Sequence, residues 1–173
     1  MALIIITTAG DATANSYASL VDAEAYALTL PVANEWASAT DPQKNAALVQ
    51  ATRMMDTLRW NGVQTNPSVQ VLRWPRAGVV LPDSQNLPNI FGLGYSQTVN
   101  SATIPAKIRD ACCEFAVRLI ADDRAADAGG LAPETIKVGP LDAGKMRRNP
   151  IPASVLEMIR DFLAYSGTPT VRS

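Results

Sequence analysis

Residues 41–62 read DPQKNAALVQATRMMDTLRWNG, and this stretch decides the fold. Asp41 followed by Pro42 is a helix start: a side chain able to cap, then a proline whose fixed φ suits the first helical position. Leu48, Ala51, Met55 and Leu58 then recur at steps of three and four, with Ala47 and Met54 beside them. That spacing puts one apolar stripe along an amphipathic helix, which Gly62 ends shortly after Trp60. A stripe of this kind must be covered, so the expected partners are other helices.

They are found on both sides. Upstream, Ser19 is a good N-cap with Asp22 three positions on, an approximate capping box. Leu20, Ala23, Tyr26, Ala27 and Leu30 share the face that follows, and Pro31 closes the segment. Downstream, a helix starts after Ile104 with Pro105 in its first turn. Ile108, Ala111, Cys112, Phe115 and Leu119 form its buried stripe. Asp110, Glu114 and Arg118 are placed on the opposite side, Glu114 and Arg118 at a favourable four-residue spacing. A last helix is expected over residues 152–165, with Val155, Leu156, Ile159, Phe162 and Leu163 on its apolar face.

Between these helices the chain is broken. Pro67, Pro75, Pro82 and Pro88, with Gly78, Gly92 and Gly94, forbid a long helix over residues 63–103. Residues 135–141 read as a strand that forms a hairpin with residues 143–147 or pairs with the β-branched run at residues 3–8. The expected fold class is therefore mainly α: a small bundle of about four helices, a minor β-hairpin or strand element, and long extended loops. It is read as a single domain over residues 1–173, with an extended N-terminal arm (1–15), a loop (63–103) and a C-terminal tail (166–173).

Composition narrows the function. Apolar residues make up 47% and charged residues 18%, a folding composition. Fifteen basic and sixteen acidic residues give a net charge of −1, which argues against strong sequence-blind coating of nucleic acid. There is no histidine, so the commonest general base and metal ligand is missing. Cys112 and Cys113 are neighbours without zinc spacing and read as small apolar helix residues, implying synthesis in a reducing compartment. The carboxylates show no catalytic spacing, no phosphate-binding loop is present, and no serine has an activating partner in view. The expectation is a non-enzyme with no cofactor and no metal. No apolar run reaches membrane length, so no membrane association is expected.

One constellation stands out: Arg53, Asp56, Arg59 and Trp60, followed by Arg73-Trp74-Pro75-Arg76. Tryptophans interleaved with arginines can stack on and neutralise a single strand of DNA, using Trp60, Trp74, Arg73 and Arg76. The favoured alternative is a structural cluster of Arg53, Asp56, Trp60, Arg73, Trp74 and Arg76. There Asp56 holds Arg73 or Arg76 in a bidentate pair while Trp74 fills the edge of the core. Two apolar stretches are left over as contact surface for other subunits: Leu3, Ile4, Ile5 and Ile6 in the arm, and Leu87, Ile90, Phe91, Leu93 and Tyr95 in the loop.

Five segments occur in the order seen in a phage family: ANSYASLVDAEAY (14–26), AALVQATRMMDTLRWNG (46–62), LRWPRAGV (72–79), IPAKIRDACCEFAVRLI (104–120) and KVGPL (137–141). Through them the chain resembles the head-tail connector, or adaptor, proteins of tailed phages. Some members of that family are labelled as similar to a primosomal single-stranded-DNA-binding protein. The resemblance implies a helical domain with a small β element. It also implies assembly into a ring, commonly dodecameric, below the portal and around the DNA channel. The implied partners are sister copies, the portal protein, tail-side neck or tail proteins, and DNA passing without sequence-specific binding. The implied location is the virion neck, assembled in the host cytoplasm. Residues 82–101 depart from the family pattern as an insert.

Overall fold

In the sequence AKIRDACCEFAVRLIA, small and apolar residues fall on consecutive positions rather than on one face alone. The computed structural model, which describes residues 3–31, 33–81, 97–122, 137–138, 141–142 and 150–164, shows why. The helix they form lies at the centre of the molecule. In chain order the helices are α1 (Leu20–Ala27), α2 (Asn34–Ser38), α3 (Asp41–Met55), α4 (Ala106–Ala121) and α5 (Ala153–Ile159), the last continued by a 3₁₀ turn, Arg160–Phe162. Helix α4 packs against each of the other four. It buries Ile108, Ala111, Cys112, Cys113, Phe115, Ala116 and Val117, most of its circumference. Small side chains at Ala111, Cys112 and Ala116 let its neighbours approach closely, and Phe115 fills the space between them. Full burial of a side chain of that size stabilises the fold by roughly 1.5–3 kcal/mol.

The helix ends follow from their sequences. Ser19 accepts from the Asp22 backbone N–H at 3.1 Å while the Asp22 carboxylate accepts from the Ser19 N–H at 3.0 Å, a complete capping box. Helix α3 is capped one residue earlier than expected. Thr40 is its N-cap, reciprocated by Gln43, and Asp41-Pro42 forms the first turn. It also stops earlier, at Met55 with Asp56 as C-cap, so Leu58 and Trp60 leave the helix. Helix α2 had no strong sequence signal; it is held by Trp36, which is buried beside Lys44.

The protein is mainly helical with a small antiparallel β element. Residues 63–81, expected to be irregular, contain a short ladder of β1 (Val63–Gln64) with β2 (Arg76–Ala77). Val80 bridges Thr98 in the same sense. β3 (Lys137–Val138) pairs antiparallel with β4 (Leu141–Asp142), a tighter hairpin than one reaching residues 143–147. The residues 3–8 run forms no strand and pairs with none among the described residues. Instead, the Asn15 side chain accepts from the Ile6 N–H and donates to the Ile4 carbonyl, each at 2.8 Å. Leu87, Ile90, Phe91, Leu93 and Tyr95, named as contact residues, lie outside the described residues, as does the tail at 166–173.

One buried polar group runs against the expected pattern. Glu114 is not on a solvent face: it is buried, paired with Arg118 at 2.5 Å and within 3.5 Å of the Ser154 hydroxyl. Cys112 lies 3.4 Å from the Thr52 hydroxyl, which also accepts from the Tyr17 N–H. Burial pushes the Cys112 thiol up to about 11 and moves Cys113 upward as well.

The chain turns out of α3 at Gly62, with φ of +70°. A Cβ there would sit 2.3 Å from the Ala77 carbonyl oxygen and 2.8 Å from a Val79 methyl. Gly78 shares the positive φ but faces open space. Gly78→Ala is therefore expected to cost about 1–2 kcal/mol from backbone conformation alone. Gly62→Ala adds a clash with backbone, so its cost should reach about 3 kcal/mol or more. Urea unfolding of the two variants checks the order.

Candidate functional site

The residues flanking that turn form the constellation singled out in the sequence. Trp60 and Trp74 meet edge to face, centroids 5.7 Å apart at 87°, and Trp74 meets Phe162 in the same way at 5.8 Å and 90°. Such contacts add about 0.5–1.5 kcal/mol each beyond area burial. Trp60 is 6% exposed and Trp74 1%. Trp60 also bridges Leu163, while the Asn61 N–H donates to the Phe162 carbonyl at 2.9 Å. The end of the last helical segment thus closes over the tryptophans. Neither ring presents a face to solvent on which a base could stack.

Arg76 is turned inward too. Its guanidinium donates to the carbonyls of Asn61 (2.6 Å), Gly62 (2.5 Å), Arg73 (3.2 Å) and Trp60 (3.4 Å). The Trp60, Asn61 and Gly62 carbonyls line the turn beyond α3, and the Arg73 carbonyl belongs to the segment that returns to it. Burial, and then the nearby Arg73, pull Arg76 below the usual arginine value. Its planar fork of donors suits this role better than the single ammonium of a lysine.

The bidentate pair expected between Asp56 and an arginine side chain is not formed. Asp56 accepts from the Tyr17 hydroxyl and, at 3.4 Å to each oxygen, from the backbone N–H of Arg73. Burial raises Asp56 above the ordinary carboxylate value, outweighing those hydrogen bonds and the nearby Arg73 charge. Burial likewise lifts Tyr17 well above its usual value, with the Asp56 charge adding to it. Tyr17 was not picked out as a site residue. Its only sequence signal is its place just before the Ser19 cap.

What remains on the outside is arginine. Arg53 and Arg59 lie three residues either side of Asp56, and Arg73 is tied to Asp56 through its backbone. All three are exposed, and none forms an ion pair among the described residues. Lys44, Lys107, Arg118 and Arg160 all have carboxylate partners. The cluster therefore divides into an interior (Asp56, Trp60, Trp74, Arg76) and a basic rim (Arg53, Arg59, Arg73). In the arm, Leu3 and Ile4 are 42% and 73% exposed, while Ile5 and Ile6 are half-buried. Among the described residues, no group of three His, Cys, Asp or Glu is placed to hold a metal, and no helix is long and apolar enough to cross a membrane.

These features define a small helical protein with an arginine rim over a closed aromatic interior. The sequence model of the family described as "Putative DnaT-like ssDNA binding protein" matches residues 1–171, and the chain belongs to that family. The match carries the single-stranded-DNA-binding label noted with the phage resemblance and does not extend to head-tail adaptors. Comparison with curated proteins and with solved structures finds no match.

The raised Asp56 value has a signed consequence. Folded protein holds that proton more tightly than unfolded protein does. The contribution of Asp56 is thus full at low pH and is lost as pH rises through its folded value. Asp56→Asn keeps an acceptor for Tyr17 and Arg73 with no charge to desolvate. Its stability relative to wild type should therefore increase between about pH 4 and pH 7. Asp56→Ala, which leaves the buried Tyr17 hydroxyl unpaired, should lose about 1–3 kcal/mol. Thermal melts across that range check both.

Proposed function

We propose that this chain binds single-stranded DNA weakly, by its phosphates, through the exposed rim of Arg53, Arg59 and Arg73. The observation that carries the reading is that these three arginines are exposed and form no ion pair among the described residues, Arg53 and Arg59 three positions either side of Asp56 in sequence and Arg73 bound to Asp56 through its N–H. The family description supports it. The mechanism differs from the one the sequence suggested, in which Trp60 and Trp74 stack on bases and Arg76 joins Arg73 on the phosphates. Trp60, Trp74 and Arg76 instead hold the turn that presents the rim. Without aromatic stacking, the binding lacks the roughly 1–3 kcal/mol per base that such platforms supply. With a net charge of −1 there is no wide electrostatic funnel either. Neutralising three phosphates corresponds to a salt slope of about −2 for a single strand.

A second reading is the head-to-tail adaptor of a tailed-phage neck: a non-catalytic ring subunit, dodecameric in the family it resembles, located in the virion. It would bind the portal and tail-side proteins and surround passing DNA. Exposed apolar surface favours it. Leu3, Ile4, Val63, Val69 and Val71 are five of the seven large apolar side chains exposed among the described residues, and all lie outside the helices. A near-neutral chain with only a thin basic rim also suits a conduit that DNA must leave. Co-sedimentation with a portal ring tests this reading; a monomer that never binds portal removes it.

For the DNA reading, anisotropy of a labelled oligothymidine should fall with salt at a slope near −2, roughly. Replacing Arg53, Arg59 and Arg73 together by Ala should abolish binding, while tryptophan emission should stay unchanged on adding oligonucleotide. A flat salt response, or full binding by the triple variant, removes the rim as the site. Strong tryptophan quenching would restore the stacking mechanism.

A further inference from the structure

Three parts of the chain, far apart in sequence, meet beside Tyr17 and leave a cleft of about 230 Å³ between them. The N-terminal arm contributes Thr7, α1 contributes Asp22, and the stretch that leads into α4 contributes Thr103, Ile104 and Arg109. Each wall is fixed locally. The Ile6 carbonyl accepts from the Asn15 and Ser16 N–H groups, at 2.9 and 3.3 Å, which ties the arm to the segment before α1. The Thr103 N–H donates to the Asn100 carbonyl at 3.3 Å. Pro105 caps α4, and the Arg109 N–H donates to its carbonyl at 3.2 Å, so Arg109 stands at the end of the first turn.

The polar groups of the cleft carry both signs and have bonding capacity to spare. Oδ2 of Asp22 accepts from the Ser19 N–H and hydroxyl, at 3.0 and 2.7 Å, whereas Oδ1 accepts no hydrogen bond among the described residues. The Ser19 bonds hold Asp22 below the usual carboxylate value, and the Arg109 charge adds to them, so Asp22 is an anion at neutral pH. Arg109 is exposed and forms no ion pair among the described residues. The hydroxyls of Thr7 and Thr103 make no hydrogen bond there either.

An anion and a cation that feel each other yet stay unpaired select what can sit between them. A lone anion would meet Asp22, and a lone cation would meet Arg109. The occupant that satisfies both presents a donor beside an acceptor on one edge. A nucleobase with an exocyclic amino group has that edge: carboxylates accept from such amino groups, and guanidinium groups donate to ring nitrogens and carbonyl oxygens. Thymine has no amino group. The volume suits a single base, since sites for drug-sized ligands begin at about 300 Å³. Cleft and rim also share one side chain. Tyr17 lines the cleft and donates its hydroxyl to Asp56, which accepts from the Arg73 N–H.

We propose that this cleft takes one base of a bound single strand, cytosine, adenine or guanine, by its amino edge: the amino group donates to Asp22 and the adjacent acceptor receives Arg109. The inference takes its occupant from the single-stranded-DNA reading and adds a base preference to a rim that binds phosphate alone.

Heteronuclear NMR of the nitrogen-labelled full chain tests it, with free deoxycytidine and thymidine as probes. Neither nucleoside carries a phosphate, so the rim takes no part in this readout, and a failure of the rim shows separately in the oligothymidine titration. Deoxycytidine should shift the amide signals of Thr7, Asp22, Thr103 and Arg109 saturably, and thymidine should bind at least about fivefold more weakly. Arg109→Ala should abolish the deoxycytidine response. Thr103→Leu, which fills the cleft without changing charge, should abolish it as well. Both positions are exposed, so the circular dichroism spectrum should stay unchanged. An equal response to the two nucleosides, no response to either, or a response that persists in both variants overturns the proposal. So does glycine, whose ammonium and carboxylate also match the pair, if it binds there more tightly than deoxycytidine.

Discussion

The carboxylate of Asp56 joins three parts of the chain at one point: the segment before α1 through Tyr17, the end of α3 on which it sits, and the 69–74 segment through the Arg73 N–H. A charge so placed is costly to desolvate, and its raised proton affinity reflects that cost. It is held because its hydrogen-bond partners are fixed by helices on one side and by the Trp74 contacts on the other. Arg76 completes the arrangement by taking the carbonyls of Trp60, Asn61 and Gly62 in the turn and of Arg73 beside it. With these two residues satisfied, the turn at Gly62 has one shape, and the outer surface of the 69–74 segment follows from it.

That organisation sorts the aromatic and basic residues by burial rather than by type. In sequence, tryptophan next to arginine reads equally well as a base-stacking platform or as a packed corner. The structure separates the two roles residue by residue. Trp60, Trp74 and Arg76 are spent on the interior, and Arg53, Arg59 and Arg73 remain for solvent. A rim of three cations on a near-neutral chain fits contact with a nucleic acid that is transient and salt-sensitive.

Much of the helical framework was legible from the sequence. The capping box at Ser19 and Asp22, the apolar stripe from Ala47 to Met55 and the proline-led start of α4 are local signals, and local physics decided them. The errors came where distant contacts overrule local pattern. Glu114 looked like a solvent-facing partner for Arg118, yet Ser154 from another helix helps enclose it. Helix α2 has only five residues and rests on Trp36 packing. Between Pro67 and Pro75 the chain is turns and bends, as the prolines imply, and only the short β1–β2 ladder on either side of it went unread. At the cluster, the structure brings Asp56, Trp60, Arg73, Trp74 and Arg76 together, but Asp56 had too many plausible partners in the sequence, and Tyr17 was not foreseen among them.

The paired thiols of α4 carry a practical consequence. Cys112 and Cys113 are 0% and 1% exposed, and both are held in the protonated form that reacts poorly. The native fold is therefore already blind to maleimides. A single cysteine introduced on the outer surface would take a fluorophore or spin label by itself, with both native thiols left in place.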